Sequence, residues 1–130
     1  SVKLKNLPAW NESRRRNATL YSTFLNGSGA IITPKEMDYA RHVYHIYAIR
    51  VRNRDALIAQ LGENGIGCGI HYPVPVHLQT AYQSLGLEAG SFPVAEKCAS
   101  EFVSLPMFAE LTEEQIRYTT DTVKNSIEKP

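Results

Sequence analysis

Only two cysteines and one tryptophan occur among the 130 residues, and no long apolar run occurs at all. The cysteines, Cys68 and Cys98, stand 30 positions apart with no CxxC spacing, which excludes a disulfide framework and a cysteine-built zinc cage. Both sit in apolar surroundings, so two reduced, buried thiols are expected, as suits a cytoplasm. No stretch approaches the roughly 18 apolar residues of a membrane-spanning helix, and the opening SVKLKNLPAW lacks the pattern of a secretion signal. A cytoplasmic protein without membrane contact is the expectation. Net charge is scarce too: 14 basic side chains against 13 acidic ones leave +1. No bulk attraction to nucleic acid or to a membrane surface follows from that balance. The one basic run, Arg14-Arg15-Arg16, is short and reads as a solvated helix face. Without a secretion signal, the N-x-S/T triplets at Asn11, Asn17 and Asn26 read as chance matches.

What is present is ordinary globular material, with 43% hydrophobic and 21% charged residues. The length suits a single domain over 1–130 that can bury a core without staples. Leu7, Trp10, Ala18, Tyr21, Phe24 and Leu25 recur at helical spacing, Pro8 suits a first turn, and Asn26-Gly27 is a stop signal, giving a helix over about 8–25. A loop follows, with a short extended piece at Ala30-Ile31-Ile32. Val43 to Val51 reads as the strongest strand, with His45 and Tyr47 on one face and Arg50 on the other. Asn53 is placed to cap a helix over Arg54–Glu63 that buries Leu57, Ile58 and Leu61. A short helix over Leu78–Leu85 ends at Gly86. Another begins at Pro93 and turns Val94, Ala95, Cys98 and Ala99 inward. Phe102–Leu105 is a strand stopped by Pro106. Thr112-Glu113-Glu114-Gln115 has the form of a capping box, opening a final helix with Ile116, Thr120, Val123 and Ile127 on one face.

The stretch Ile66 to Tyr82, IGCGIHYPVPVHLQTAY, holds the chemistry. Ile66, Cys68, Ile70 and Tyr72 alternate with Gly67, Gly69 and His71, a period of two that predicts a strand with one nearly bare face. Pro73 and Pro75 end the pairing. His71, Tyr72 and His77 thus stand at a stiff strand end entering a proline-fixed loop, a common setting for a ligand site. Other readings fail on context. Gly65-x-Gly67-x-Gly69 follows a helix rather than opening one, so it is no dinucleotide fingerprint. Neither His42 with His45 nor His71 with His77 has the supporting ligands of a metal site. No serine or cysteine sits in a nucleophile setting, and no catalytic residue is assigned.

Taken in order, these stretches resemble the C-terminal part of a pyridoxal-phosphate-dependent nucleotide-sugar aminotransferase of the DegT–DnrJ–StrS type. The matching segments are Arg16-x-Ala18-x-x-Tyr21, Val43-Tyr44-His45-x-Tyr47-x-Ile49-Arg50, Gly65-Ile66 and His71-Tyr72-Pro73-x-Pro75-x-His77-x-Gln79-x-Ala81-Tyr82. Phe92-Pro93-Val94-Ala95-Glu96, Ser104-Leu105-Pro106 and Leu111-Thr112-x-Glu114-Gln115-Ile116 complete the series.

The resemblance implies the small domain of a fold-type-I enzyme. That domain is an α+β unit, with a small three- to four-stranded, mostly antiparallel sheet covered by helices on one face. Residues 8–25 would be its connector helix. The whole enzyme would be a homodimer moving an amino group, usually from glutamate, onto a keto-sugar carried by a nucleoside diphosphate. Pyridoxal phosphate, its Schiff-base lysine and its phosphate site would belong to a large domain outside this chain. None of Lys3, Lys5, Lys35, Lys97, Lys124 or Lys129 has the setting of that lysine, so no cofactor-binding residue is assigned and the chain alone should not transaminate. The resemblance gives His71 and Tyr72, with His77, to the sugar-nucleotide pocket; Tyr47 and His45 are assigned to the core. The rival expectation is a free-standing, non-catalytic ligand-binding or dimerisation domain.

Overall fold

In a computed structural model, the structure describes residues 2–128; Lys129 lies outside them. The elements run α1 (Val2–Leu25), β1 (Tyr47–Arg50), α2 (Arg54–Glu63), two 3₁₀ turns (Val76–Leu78 and Thr80–Leu85), α3 (Pro93–Glu101), β2 (Phe102–Leu105) and α4 (Glu113–Glu128). β1 and β2 pair antiparallel, with Tyr47 opposite Leu105 and Ile49 opposite Val103. Single antiparallel bridges extend the sheet at both edges, Ile32 to Arg50 and Gly69 to Ser104. The α+β sheet is therefore four segments wide, but only the central two are regular strands.

Alternation along the strands divides the sheet. Tyr47, Ile49, Val103 and Leu105 are buried on one face, where they share a core with Ala18, Tyr21 and Leu25 of α1, Leu57 and Leu61 of α2, and Ile116 and Val123 of α4. The Tyr21 ring stacks on Tyr47 with centroids 4.9 Å apart. Polar atoms that this packing buries are paired: Tyr21 donates its hydroxyl to the Pro106 carbonyl at 2.9 Å, and Asn17 donates to the Phe108 carbonyl at 2.9 Å. α1 thus holds the loop leading from β2 to α4. Burial pushes the Tyr47 hydroxyl up to about 12, despite its hydrogen bond with Ser22.

Several expected details hold. Thr112 and Gln115 exchange the two bonds of a capping box, at 3.0 and 3.2 Å. Pro93 opens α3, and Gly86 ends the second 3₁₀ turn in the left-handed region at φ 63°. Others change. α1 starts at Val2, so Pro8 lies inside it. The Leu4 carbonyl loses its helical donor there, on an exposed face where water can replace it. Asn53 stands at the N-cap of α2 without a side-chain cap bond. In α3 only Ala99 is buried, and Val94 is exposed.

The expected long strand over 43–51 shrinks to Tyr47–Arg50 because Tyr44 adopts φ 46°. That left-handed residue breaks the pleat, so Tyr44 and Tyr47 are both buried while His45 swings away from Tyr47 and is exposed. The assignment of His45 to the core is thereby overturned. The expected strand through Ile66–Tyr72 makes only the bridge at Gly69. Its glycines contribute no packing side chains, and Pro73 ends it.

Candidate functional site: the open face of the sheet

The face opposite the core is bordered by Cys98 of α3 and by the loop before β1. It holds an open cavity of about 590 Å³, with Ile32, His45, Ala48, Arg50, His71 and Phe102 among its walls. That volume is in the range of small-ligand sites. Ala48 and Arg50 reach the cavity because they alternate with the buried Tyr47 and Ile49. Arg50 is anchored by the last residue of α3, its Nε and Nη2 donating to one Glu101 oxygen at 2.9 and 2.7 Å. Glu101 comes within reach through the register that sets Arg50 opposite Phe102.

His71 enters from the Gly69 edge. Its Nδ1 lies 2.9 Å from the Ser104 hydroxyl, and the ring packs over Gly69. Tyr72 is adjacent, edge-on to the His71 ring, and 70% exposed. The peptide between them is cis. His71 and Tyr72 are therefore together at the surface, as expected, and His71 lines the cavity.

His77 lies outside that cavity. It is 9% exposed, packs edge-on to Phe92, and its Nε2 lies 3.0 Å from Glu96 Oε1. The same carboxylate accepts the Gly90 and Phe92 amides. These bonds, the Gly90 amide foremost, hold Glu96 below the usual carboxylate range. His77 is thus a tie between the proline loop and the start of α3. Between these ties the arm from Tyr72 to Val94 is mostly exposed, and Val76, Leu85, Phe92 and Val94 present apolar surface.

A second clamp fixes the loop before β1. Arg15 binds both oxygens of Glu36 and also the His42 carbonyl at 2.6 Å, while the His42 amide donates to Glu36 at 2.7 Å. The guanidinium, with that amide, holds the Glu36 carboxyl below its ordinary range. His42 Nδ1 in turn accepts the Tyr44 amide at 2.8 Å, which supports the left-handed turn.

The sequence reading missed Ser104, Gly69 as a seat for a ring, and the cavity positions of Cys98 and Phe102. Strand parity would have placed Phe102 and Ser104 opposite Val103, but the partner of each needs the register.

The cavity does not fit pyridoxal phosphate as an internal Schiff base, because among the described residues no lysine lines it. Cys68, pushed up to about 11 by burial, is no nucleophile. Among the described residues no three histidine, cysteine or acidic side chains gather as a metal site, and no helix is long and apolar enough to cross a membrane.

Comparison with known proteins places this geometry. A pleiotropic regulatory protein of Geobacillus stearothermophilus is 46% identical over 125 residues, 95% of this chain and 34% of the relative. The dTDP-3-amino-3,4,6-trideoxy-α-D-glucose transaminase of Streptomyces venezuelae is 34% identical across 98% of this chain and 34% of its own length. The crystal structure of S. venezuelae DesV in complex with a ketimine intermediate superposes with a TM-score of 0.94 at 34% identity, covering 99% of this chain and 35% of that one. The chain thus spans about a third of the length of the relatives it matches. The profile of the DegT/DnrJ/EryC1/StrS aminotransferase family matches residues 1–124, and the chain belongs to that family.

Proposed function

We propose that this chain is the small domain of a pyridoxal-phosphate-dependent aminotransferase that aminates a nucleoside-diphosphate keto-sugar, with glutamate as the amino donor. In this reading residues 1–130 form one domain, and a larger domain supplies the cofactor, its lysine and its phosphate site. Pyridoxal phosphate, when bound there, provides the carbonyl that carries the amino group. This chain's residues do the binding and enclosing. The observation that carries the reading is the open cavity on the sheet face opposite the core, of ligand size, with an anchored arginine, a fixed histidine and an adjacent exposed phenol.

His71 and Tyr72 offer hydrogen bonds to sugar hydroxyls or diphosphate oxygens from a backbone already fixed by the sheet edge and by Pro73, so little ordering remains on binding. His77 serves the same pocket indirectly, by holding the proline loop against α3. The exposed apolar arm over 72–94 supports coverage by a large domain and by a second subunit. A cytoplasmic, nucleic-acid-independent role in nucleotide-sugar or polysaccharide biosynthesis accords with the near-neutral charge.

Titrating the ¹⁵N-labelled chain with dTDP-glucose tests this. Shift changes at His71, Tyr72 and Arg50 are expected; changes elsewhere with none at His71 or Tyr72 would overturn the pocket. Mixing the chain with pyridoxal phosphate and borohydride should give no single labelled lysine. A stoichiometric adduct at one site would contradict the division of labour.

A further inference from the structure

Gly69, His71 and Ser104 make an assembly that a merely exposed histidine does not require. Ser104 is 6% exposed, and its Oγ lies 2.9 Å from His71 Nδ1. A hydroxyl and a neutral imidazole nitrogen can bond in two senses, and the partners around Ser104 decide between them. Its backbone amide and carbonyl are spent on the Gly69 bridge, at 2.8 and 3.1 Å. Among the described residues its hydroxyl has one hydrogen-bond partner, His71. If the ring donated through Nδ1, the hydroxyl proton of this largely buried serine would have no acceptor among the described residues, an arrangement that folded proteins avoid. The serine must therefore donate, which requires Nδ1 to carry a lone pair and Nε2 to carry the proton. Gly69 supplies the seat: a Cβ there would lie 2.9 Å from His71 Cε1, so a side chain would lift the ring off the sheet edge and away from Ser104.

We propose that Ser104 is a positioning residue that holds His71 as its Nε2–H tautomer, so that this cavity-lining ring presents a hydrogen-bond donor to an acceptor oxygen of the guest. The tautomer stands on the geometry alone; only the guest's identity as a nucleoside-diphosphate sugar rests on the proposed function. A donor at this position discriminates. It welcomes a phosphate, carbonyl or hydroxyl oxygen and gives nothing to a group that can only donate.

Long-range ¹H–¹⁵N spectra of the histidine-labelled chain at alkaline pH, with His71 assigned by its loss in His71→Gln, test the proposal. In the unsubstituted chain Nδ1 should show the pyridine-like signal and Nε2 the pyrrole-like one. Ser104→Ala should relax this to a mixture of tautomers while the His77 signals stay put, and Ser104→Thr, which keeps the hydroxyl, should restore it. Gly69→Ala should also give a mixture, with the Ser104 hydroxyl still present. A protonated Nδ1 in the unsubstituted chain, or identical tautomer ratios with and without the Ser104 hydroxyl, would overturn the proposal. In the same samples Ser104→Ala should weaken dTDP-glucose binding by about threefold to tenfold. Failure of the unsubstituted chain to bind dTDP-glucose, with the tautomer as expected, would remove the proposed guest and leave the positioning role standing.

Discussion

Replacing Tyr21 by phenylalanine removes one oxygen from the most enclosed side chain of α1 and isolates a single link between that helix and the loop after β2. Tyr21 is fully buried, and its hydroxyl donates to the Pro106 carbonyl at 2.9 Å. The ring remains in the variant, so the stack on Tyr47 and the apolar contacts survive. What is lost is one hydrogen bond, and a carbonyl is left without that donor. The expected cost is about 1–2 kcal/mol, the sum of a typical net bond and partial desolvation. With a urea slope of about 2 kcal/mol/M, the midpoint should fall by about 0.5–1 M with unchanged slope. Urea unfolding followed by circular dichroism reads this directly. Tyr21→Ala provides the scale, since removing the ring should cost about 3–5 kcal/mol. A phenylalanine variant within ~0.3 kcal/mol of the parent would refute the link between α1 and Pro106. A loss matching that of alanine would show that the ring does not keep its seat.

Three further outcomes are expected. Tyr21 and Tyr47 both bind their protons more tightly in the folded chain, which therefore holds more protons than the unfolded one above about pH 10. The tyrosines' contribution to stability should be constant below that pH and fall as pH rises toward 12, less steeply in Tyr47→Phe, as thermal melts would record. Glu36 and Glu96 titrate below their ordinary value, so their contribution is present above about pH 4.5 and lost as pH falls through the depressed values; Glu36→Gln should flatten that acid limb. Glu96→Ala should speed hydrogen exchange at the Gly90 and Phe92 amides by about tenfold or more while the Val103 amide in β2 keeps its rate, and unchanged rates at Gly90 would sink the tie.

Local chemistry made some of this legible before any coordinates. The Thr112–Gln115 box, the Pro93 start, the left-handed stop at Gly86 and the Pro106 end of β2 are each decided within a few residues, by caps and backbone permissions. The exposure of His71 beside Tyr72 follows likewise from glycines and prolines that leave their backbone little to pack against. What was not legible depends on distant partners. Tyr44 looks like any strand tyrosine, and its left-handed turn rests on His42, Glu36 and Arg15, which lies in another element. That one residue reversed the face of His45 and halved the strand. The tie that buries His77 was hidden because its partner, Glu96, stands 19 positions on. Ser104 acquires its role only when the Gly69 bridge brings the two edges together.

The way α1 is held has a mechanical consequence. Its buried residues, Asn17, Ala18, Tyr21 and Leu25, all lie in the second half of the helix, while Val2, Leu4 and Leu7 stand in solvent. From Arg15 back to Val2 is a rod of roughly 20 Å at helical rise. A pivot of about 5° at the gripped end would sweep the free tip through roughly 1.7 Å, about a third of a helical pitch. Whatever force acts on that tip therefore reaches the stacked Tyr21–Tyr47 pair with considerable leverage, and through it the strand whose opposite side bears the cavity.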